Sequence, residues 1–263
     1  MIADPAQPTL DIAIQWATQA GAIAREGFLT EHAINFKGAT DLVTEIDHAC
    51  EKLLVDAILT AFPSHSILTE ESGAVNSGST YRWHIDPLDG TVNYARRIPM
   101  YAISLAFEHA GQVQLGVVYD PSRDECYAAQ RGKGAWLNGR ELHITDTTDL
   151  EKCLFATAFA RNQGDLFERN LRYFGYLSLN TFGVRRLGSA ALELCYVASG
   201  QVNAYWELAI NSWDMAAAAL IAEEAGAIVT TPDGDLDYFK PPYAVLASAP
   251  GIHTQLIELF HRL

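Results

Sequence analysis

Two apolar runs, Ala102–Glu108 and Val113–Tyr119, flank the short break His109-Ala110-Gly111-Gln112, and this pattern restricts the fold more than any other. Strand-like runs separated by a brief glycine-containing break predict a β-hairpin. Cys126–Ala129 and Gly134–Leu137 read as two further strands, with turns at Arg131-Gly132-Lys133 and Asn138-Gly139. Ser66–Leu68 and Trp83–Ile85 read as short strands upstream. The middle of the chain is therefore expected to form a mostly antiparallel sheet.

Helices are expected before it. Ile12, Trp16, Ala20, Ile23 and Ala24 recur at helical spacing within Leu10–Leu29. A possible short strand at Ile34–Lys37 is followed by a helix over Glu45–Ala61, with Thr44 at its N-cap and Pro63 beyond its end. After about Thr148 strands and helices alternate. Cys153–Ala158, Thr181–Leu187, Val202–Trp206 and Tyr243–Ala247 read as strands. Asp165–Tyr176, Ser189–Ser199, Ser212–Ala225 and His253–His261 read as helices. Alternation of this kind predicts a layered α/β half. The expected division is residues 1–148, helices plus antiparallel sheet, and residues 149–263, the α/β half, with a cleft shared between them.

With 263 residues, 49% of them hydrophobic, the chain has ample material for a large core. Its formal net charge is −14, which gives no basic footprint for nucleic acid. An acidic chain also repels anions, so a phosphate substrate would need positive charge from another source, such as metal ions. Cys50, Cys126, Cys153 and Cys195 are widely spaced and form no CxxC pair, which predicts reduced thiols and a cytoplasmic location. The N-terminus lacks the basic stretch of a secretory signal. The apolar stretch Met215–Ala227 is interrupted by Glu223 and Glu224, so no membrane span is expected.

The strongest chemical signal is Asp86-Pro87-Leu88-Asp89-Gly90-Thr91-Val92-Asn93, directly after a strand. Pro87 is expected to end that strand, and Gly90 permits a tight turn. Two carboxylates three residues apart across such a turn can converge, and they repel unless a cation lies between them. Magnesium favours such oxygen donors. Asp, Pro and Gly also favour turns without any function. Glu70-Glu71 follows the Ser66–Leu68 strand and reads equally as a solvated loop. Asp214 opens a helix, where an acid complements the helix dipole and Ser212 serves as an ordinary N-cap. Thr44 and Asp47 fit a capping arrangement. Gly132-Lys133-Gly134 lacks the rest of a phosphate loop and reads as a hairpin turn. The eight histidines show no ligand spacing.

Taken together these segments resemble the inositol monophosphatase family, within the wider lithium-sensitive, magnesium-dependent phosphatases. One motif matches at Trp83-His84-Ile85-Asp86-Pro87-Leu88-Asp89-Gly90-Thr91-Val92-Asn93-Tyr94. A second matches at Trp213-Asp214-Met215-Ala216-Ala217 through Glu224-Ala225-Gly226-Ala227. Asp41-Leu42-Val43-Thr44 with Asp47, Glu70-Glu71-Ser72 and Gly188-Ser189-Ala190-Ala191 fall in family order. The resemblance implies a layered αβαβα sandwich of the inositol monophosphatase and fructose bisphosphatase type, a cytoplasmic homodimer, and two or three Mg2+ per site. It implies that Glu70, Asp86 and the Leu88 carbonyl hold one magnesium. Asp86, Asp89 and Asp214 would hold a second, and Glu70 would help with a weaker third. Thr91 and Glu70 would orient an attacking water, with Asp47 hydrogen-bonded to Thr91. The backbone amides of Gly90 and Thr91 would touch the substrate's phosphate, Asp89 would be a further substrate contact, and Ala190 and Glu207 would line its alcohol side.

The expected activity is magnesium-dependent hydrolysis of a small phosphate monoester, foremost inositol monophosphate, by a metal-activated water. The alternatives are fructose 1,6-bisphosphate, histidinol phosphate or a nucleotide as substrate, or a non-catalytic regulatory protein on this scaffold. Asn93 stands where the nucleotide 3'-phosphatases usually have glutamate. Thr69 stands where many members have glycine, Asn211 where some have histidine, and Phe159-Ala160-Arg161 matches no particular substrate.

Overall fold

The apolar stripe near the start of the chain folds as helix α1 (Leu10–Phe28), with Thr9 as its N-cap. A computed structural model describes residues 7–30, 34–36, 42–76, 78–159 and 163–263. Lys37, Asp41, Ala160 and Arg161, singled out above, lie outside the described residues. Strands β1 (Ile34–Phe36) and β2 (Leu42–Thr44) pair antiparallel. Helix α2 (Glu45–Ala61) starts at a capping box. Asp47 Oδ2 accepts from the Thr44 amide at 2.9 Å, and Thr44 Oγ1 accepts from the Asp47 amide at 3.4 Å.

Eight strands build the first sheet: β3 (Ser66–Thr69), β4 (Gly73–Val75), β5 (Tyr81–Asp89), β6 (Ala102–His109), β7 (Gln112–Asp120), β8 (Glu125–Gln130), β9 (Gly134–Leu137) and β10 (Arg140–Glu141). Their spatial order is β10-β9-β8-β7-β6-β5-β3-β4, antiparallel except for the parallel β3–β5 pair. The short helix α3 (Thr91–Ala95) follows β5. The second sheet takes β11 (Leu154–Thr157), β12 (Gly183–Arg185), β13 (Ala204–Glu207), β14 (Ile228–Thr230) and β15 (Val245–Ser248), in the order β12-β11-β13-β15-β14. Helices α4 (Gly164–Asn180), α5 (Ala190–Ala198), α6 (Ser212–Glu224) and α7 (Pro250–Arg262) complete the chain.

Side-chain alternation explains the layering. Ile103, Leu105 and Phe107 of β6 face α1 and α2, in one core with Ala17, Ala20, Leu54 and Ile58. Ala102 and Ala106 face the other way, in a second core with α5, α6 and Tyr205, Val245 and Ala247 of the second sheet. Both faces of the first sheet are thus covered, and β6 reads as a continuous apolar run. Helices α4 and α7 close the far side over Phe155, Trp206 and Leu246. The result is the five-layer αβαβα arrangement. The two strand sets divide between Glu141 and Leu154.

Helix α6 forms the central layer together with α5. Met215–Ala222 are all buried, as a helix sandwiched between two sheets requires. No helix of the described residues is long and apolar enough to cross a membrane. Alanines bring α6 close to β7 at Gly116, where an added Cβ would lie 2.6 Å from the Ala217 carbonyl oxygen. Gly116→Ala must therefore push α6 away from the sheet, at a cost of about 2 kcal/mol. Urea unfolding should show a lowered midpoint with an unchanged slope. An unaltered midpoint would mean that α6 is free to shift there.

The structure corrects several expectations. Strand β5 runs through Pro87 to Asp89 instead of stopping at the proline. The ladder to β6 shifts register between Asp86 and Asp89, because Pro87 has no N–H to offer it. The strands β2, β4, β10 and β14 and the helix α3 were not expected; each has five residues or fewer, too short for a periodic signal. The Gly132-Lys133-Gly134 turn does join β8 to β9 as expected. Its Gly132 and Gly134 amides donate to Glu224 at 2.8 and 2.9 Å. The four cysteines are free thiols.

Candidate active site

The irregular end of β5 sets the site. After Asp86 the chain bends back so that the Leu88 amide donates to Asp86 Oδ1 at 2.9 Å. Gly90 then adopts φ +92°, and a Cβ there would stand 2.8 Å from the Met100 carbonyl oxygen, so only glycine fits. This turn delivers Thr91 to the start of α3. Thr91 Oγ1 lies 3.1 Å from both Asp47 Oδ1 and the Leu88 carbonyl oxygen. Asp47 is buried at the head of α2, and burial raises its carboxyl above the usual range against the hydrogen bonds from Thr44 and Thr91. Its capping role and its contact to Thr91 coexist, one oxygen for each. Asn93 braces the turn by donating to the carbonyls of Met100 and Leu187.

Glu70 follows β3, and its amide donates to the Ile85 carbonyl at 3.2 Å. The buried Glu51 of α2 organises this loop. Glu51 accepts from Thr69 Oγ1 at 2.5 Å, from the Glu71 amide at 3.1 Å and from the Ser72 hydroxyl. Thr69 thereby supplies a bond that glycine lacks. Glu51 was missed in the sequence; the available signal was an acid on the stripe Asp47-Glu51-Leu54-Ile58 that α2 buries.

Asp214 lies in the first turn of α6. The N-cap is Asn211, not Ser212 as expected: the Asn211 amide and side-chain Nδ2 both donate to Asp214 Oδ2 at 3.1 Å. Ser212 is already helical and buried, and its hydroxyl meets His84 Nδ1 at 3.0 Å.

Three of the expected ligands converge. Oxygens of Glu70, Asp86 and Asp214 lie within 4.8 Å of one another. Asp89 is not in this group. Its carboxylate is turned to the start of α5, where it accepts from Ser189 Oγ at 2.5 Å and from the Ala191 and Ala190 amides at 2.8 and 3.3 Å. Ala190 and Glu207 lie on this side, with Tyr205 donating to Glu207 at 2.6 Å.

Burial, then the charges of Glu70, Asp89 and Asp214, push the Asp86 carboxyl well above its usual range. Burial pushes Asp89 up to about 6 despite its hydrogen bonds. Asp214 rises to about 7, through burial and then the charges of Asp89 and Glu207. Glu207 rises to about 8, again chiefly by burial. Carboxylates gathered out of water at mutual expense are what a bound divalent cation relieves, and the all-oxygen set suits magnesium.

Comparison with known proteins places these residues in context. The sequence profile of the inositol monophosphatase family matches residues 6–263. A Pseudomonas aeruginosa protein named Nus factor SuhB is 40% identical over 246 residues, 91% of each chain. The crystal structure of extragenic suppressor protein suhB from Bartonella henselae superposes with a TM-score of 0.90 at 33% identity, over 95% of this chain and 97% of that one. An inositol monophosphatase from Anabaena superposes with a TM-score of 0.87 at 38% identity, over 97% of this chain and 95% of that one.

Proposed function

This chain belongs to the inositol monophosphatase family, and on that premise we propose that it is a magnesium-dependent phosphatase of a small phosphate monoester, foremost an inositol monophosphate. The observation that carries the reading is the convergence of Glu70, Asp86 and Asp214. Magnesium bound there would supply positive charge to the phosphate and acidify a water. The residues do the rest. Glu70, Asp86 and Asp214 would hold the cation, and the Leu88 carbonyl and Asp89 would be further oxygen donors to it. Thr91 Oγ1 donates its hydrogen bond to Asp47 or to the Leu88 carbonyl, which leaves its lone pairs to orient a water together with Glu70. The Gly90 and Thr91 amides donate to phosphate oxygens, as turn amides do for anions. The Ala190 amide, Asp89 and Glu207 form the alcohol side. Phosphate transfer to water needs positioning and charge neutralisation more than covalent chemistry, and this set supplies both.

Phosphate release from inositol monophosphate, fructose 1,6-bisphosphate, histidinol phosphate and a nucleotide tests the substrate. The highest kcat/KM should fall on the inositol ester; a clear preference for another member of the panel overturns that assignment. Lithium should inhibit uncompetitively against substrate, beyond the effect of sodium at equal ionic strength, because it matches magnesium in size with half the charge. Equal effects of the two salts would contradict the cation exchange that this site implies.

A second reading, a regulatory protein on this scaffold, draws on the name of the Pseudomonas relative. Retention of Glu70, Asp86, Asp89 and Asp214 favours the hydrolase. The charge of −14 favours a small anionic substrate held by metal over nucleic acid. A cytoplasmic homodimer remains part of the reading.

A further inference from the structure

His84 and Asp86 stand two residues apart on β5 and therefore project from the same face of the sheet, the face on which α6 lies. His84 Nε2 is 2.8 Å from Glu108 Oε2 and its Nδ1 is 3.0 Å from Ser212 Oγ. His84 and Ser212 are each 1% exposed. Glu108 is itself held by the Gly111 amide at 3.0 Å, and Arg82 stands 3.9 Å away. Phe239 closes the side of the imidazole edge-on. A carboxylate only accepts, so Nε2 carries the proton toward Glu108, and in the neutral imidazole Nδ1 then accepts from the Ser212 hydroxyl. Ser212 is thus no nucleophile: it is out of reach of solvent. It is not needed as a helix cap either, since Asn211 is the cap.

The next residue is held in the same way. Ser104 Oγ donates to the Trp213 carbonyl at 3.2 Å, and Ser104 sits directly opposite Asp86 in the β5–β6 ladder. Two consecutive residues of the α6 first turn are therefore tied to strand residues beside Asp86, and Asp214 comes immediately after. We infer that Glu108, His84 and Ser212 form a positioning relay that fixes Asp214 against Asp86 and so sets the affinity of the shared cation. This inference rests on the metal site proposed above. Glu70, Asp86 and Asp214 repel one another without a cation, and a helix start free to move would relax that repulsion by retreating. The relay prevents the retreat and keeps the carboxylates gathered.

Calorimetric titration of Mg2+ into the metal-free protein tests it. Ser212→Ala removes the last link with a single atom, and its Kd for magnesium should rise about tenfold or more, the usual size of an effect one shell out from a metal. The magnesium concentration for half-maximal hydrolysis should rise with it, while kcat at saturating magnesium stays near wild type. Glu108→Gln leaves the fold intact more gently and should weaken binding in the same direction. Thr230→Val is the control. It breaks a similar buried bond, Thr230 Oγ1 to His253 Nε2 at 3.1 Å, in the second sheet. It should lower Tm and leave the magnesium Kd unchanged. Binding by Ser212→Ala and Glu108→Gln within twofold of a wild type that binds overturns the relay alone. A wild type that binds no magnesium overturns the metal site and the relay with it.

Discussion

Asp214→Asn should lower kcat about a thousandfold at saturating magnesium and leave the protein folded. A loss of that size corresponds to about 4 kcal/mol of transition-state stabilisation, within what a metal ligand supplies. Asp214 also caps α6 through Asn211, and asparagine keeps the shape but changes the donor balance, at a cost of about 1 kcal/mol. The two roles predict different outcomes. If Asp214 is only a cap, Tm falls slightly and turnover is preserved. If it is a ligand, turnover collapses, and the metal-free variant loses little or no stability because one charge has left a repelling group. Steady-state kinetics and thermal unfolding on the same preparation decide between them, and near-normal kcat returns Asp214 to the cap.

The metal-free protein should become more stable as pH falls from 8 to 6. The sign follows from the acids at the site. Asp89, Asp214 and Glu207 are raised to about 6, 7 and 8, and Asp86 well above its usual range, mainly by burial. Such groups bind more protons folded than unfolded. Their contribution is fully present below the unfolded carboxylate range near 4 and is lost as pH rises through 6 to 8. Glu193, raised to about 8 by burial, acts in the same direction. His253, lowered by burial, opposes the gain as pH falls through the ordinary histidine range, which is why the window stops near 6; Glu108, held low by His84, opposes it only below the ordinary carboxylate range. The combined effect is on the order of a few kcal/mol, or roughly 10 °C in Tm. Magnesium should remove most of this dependence by stabilising the ionised carboxylates at pH 8. A flat Tm between pH 8 and 6 without metal would show that the carboxylates are not in conflict.

Local signals carried much of this arrangement. The β6–β7 hairpin was legible because its runs are long and interrupted once. The capping box of α2 was legible because Thr44 and Asp47 are three apart, and α2 spans its expected residues. The order of the Asp86, Glu70 and Asp214 segments pointed to one site through resemblance, not through spacing. Long-range geometry was hidden. Nothing near Asp89 signals that its carboxylate turns to α5, a hundred residues on. Ser212 looked like a cap because serine before an apolar helix usually is one. Its partner, His84, is 128 positions away and on a strand. Pro87 looked like a strand end because local sterics cannot show that β6 tolerates a register shift opposite it.

The most direct test of the central claim is phosphate release from inositol monophosphate after the protein has been stripped with chelator and passed free of it. No detectable hydrolysis is expected in the stripped protein, and full recovery is expected on adding magnesium to wild type. Asp86→Asn, which takes a carboxylate from the centre of the Glu70–Asp86–Asp214 group, should not recover. Full activity of the stripped wild-type protein, or equal recovery by Asp86→Asn, would contradict it.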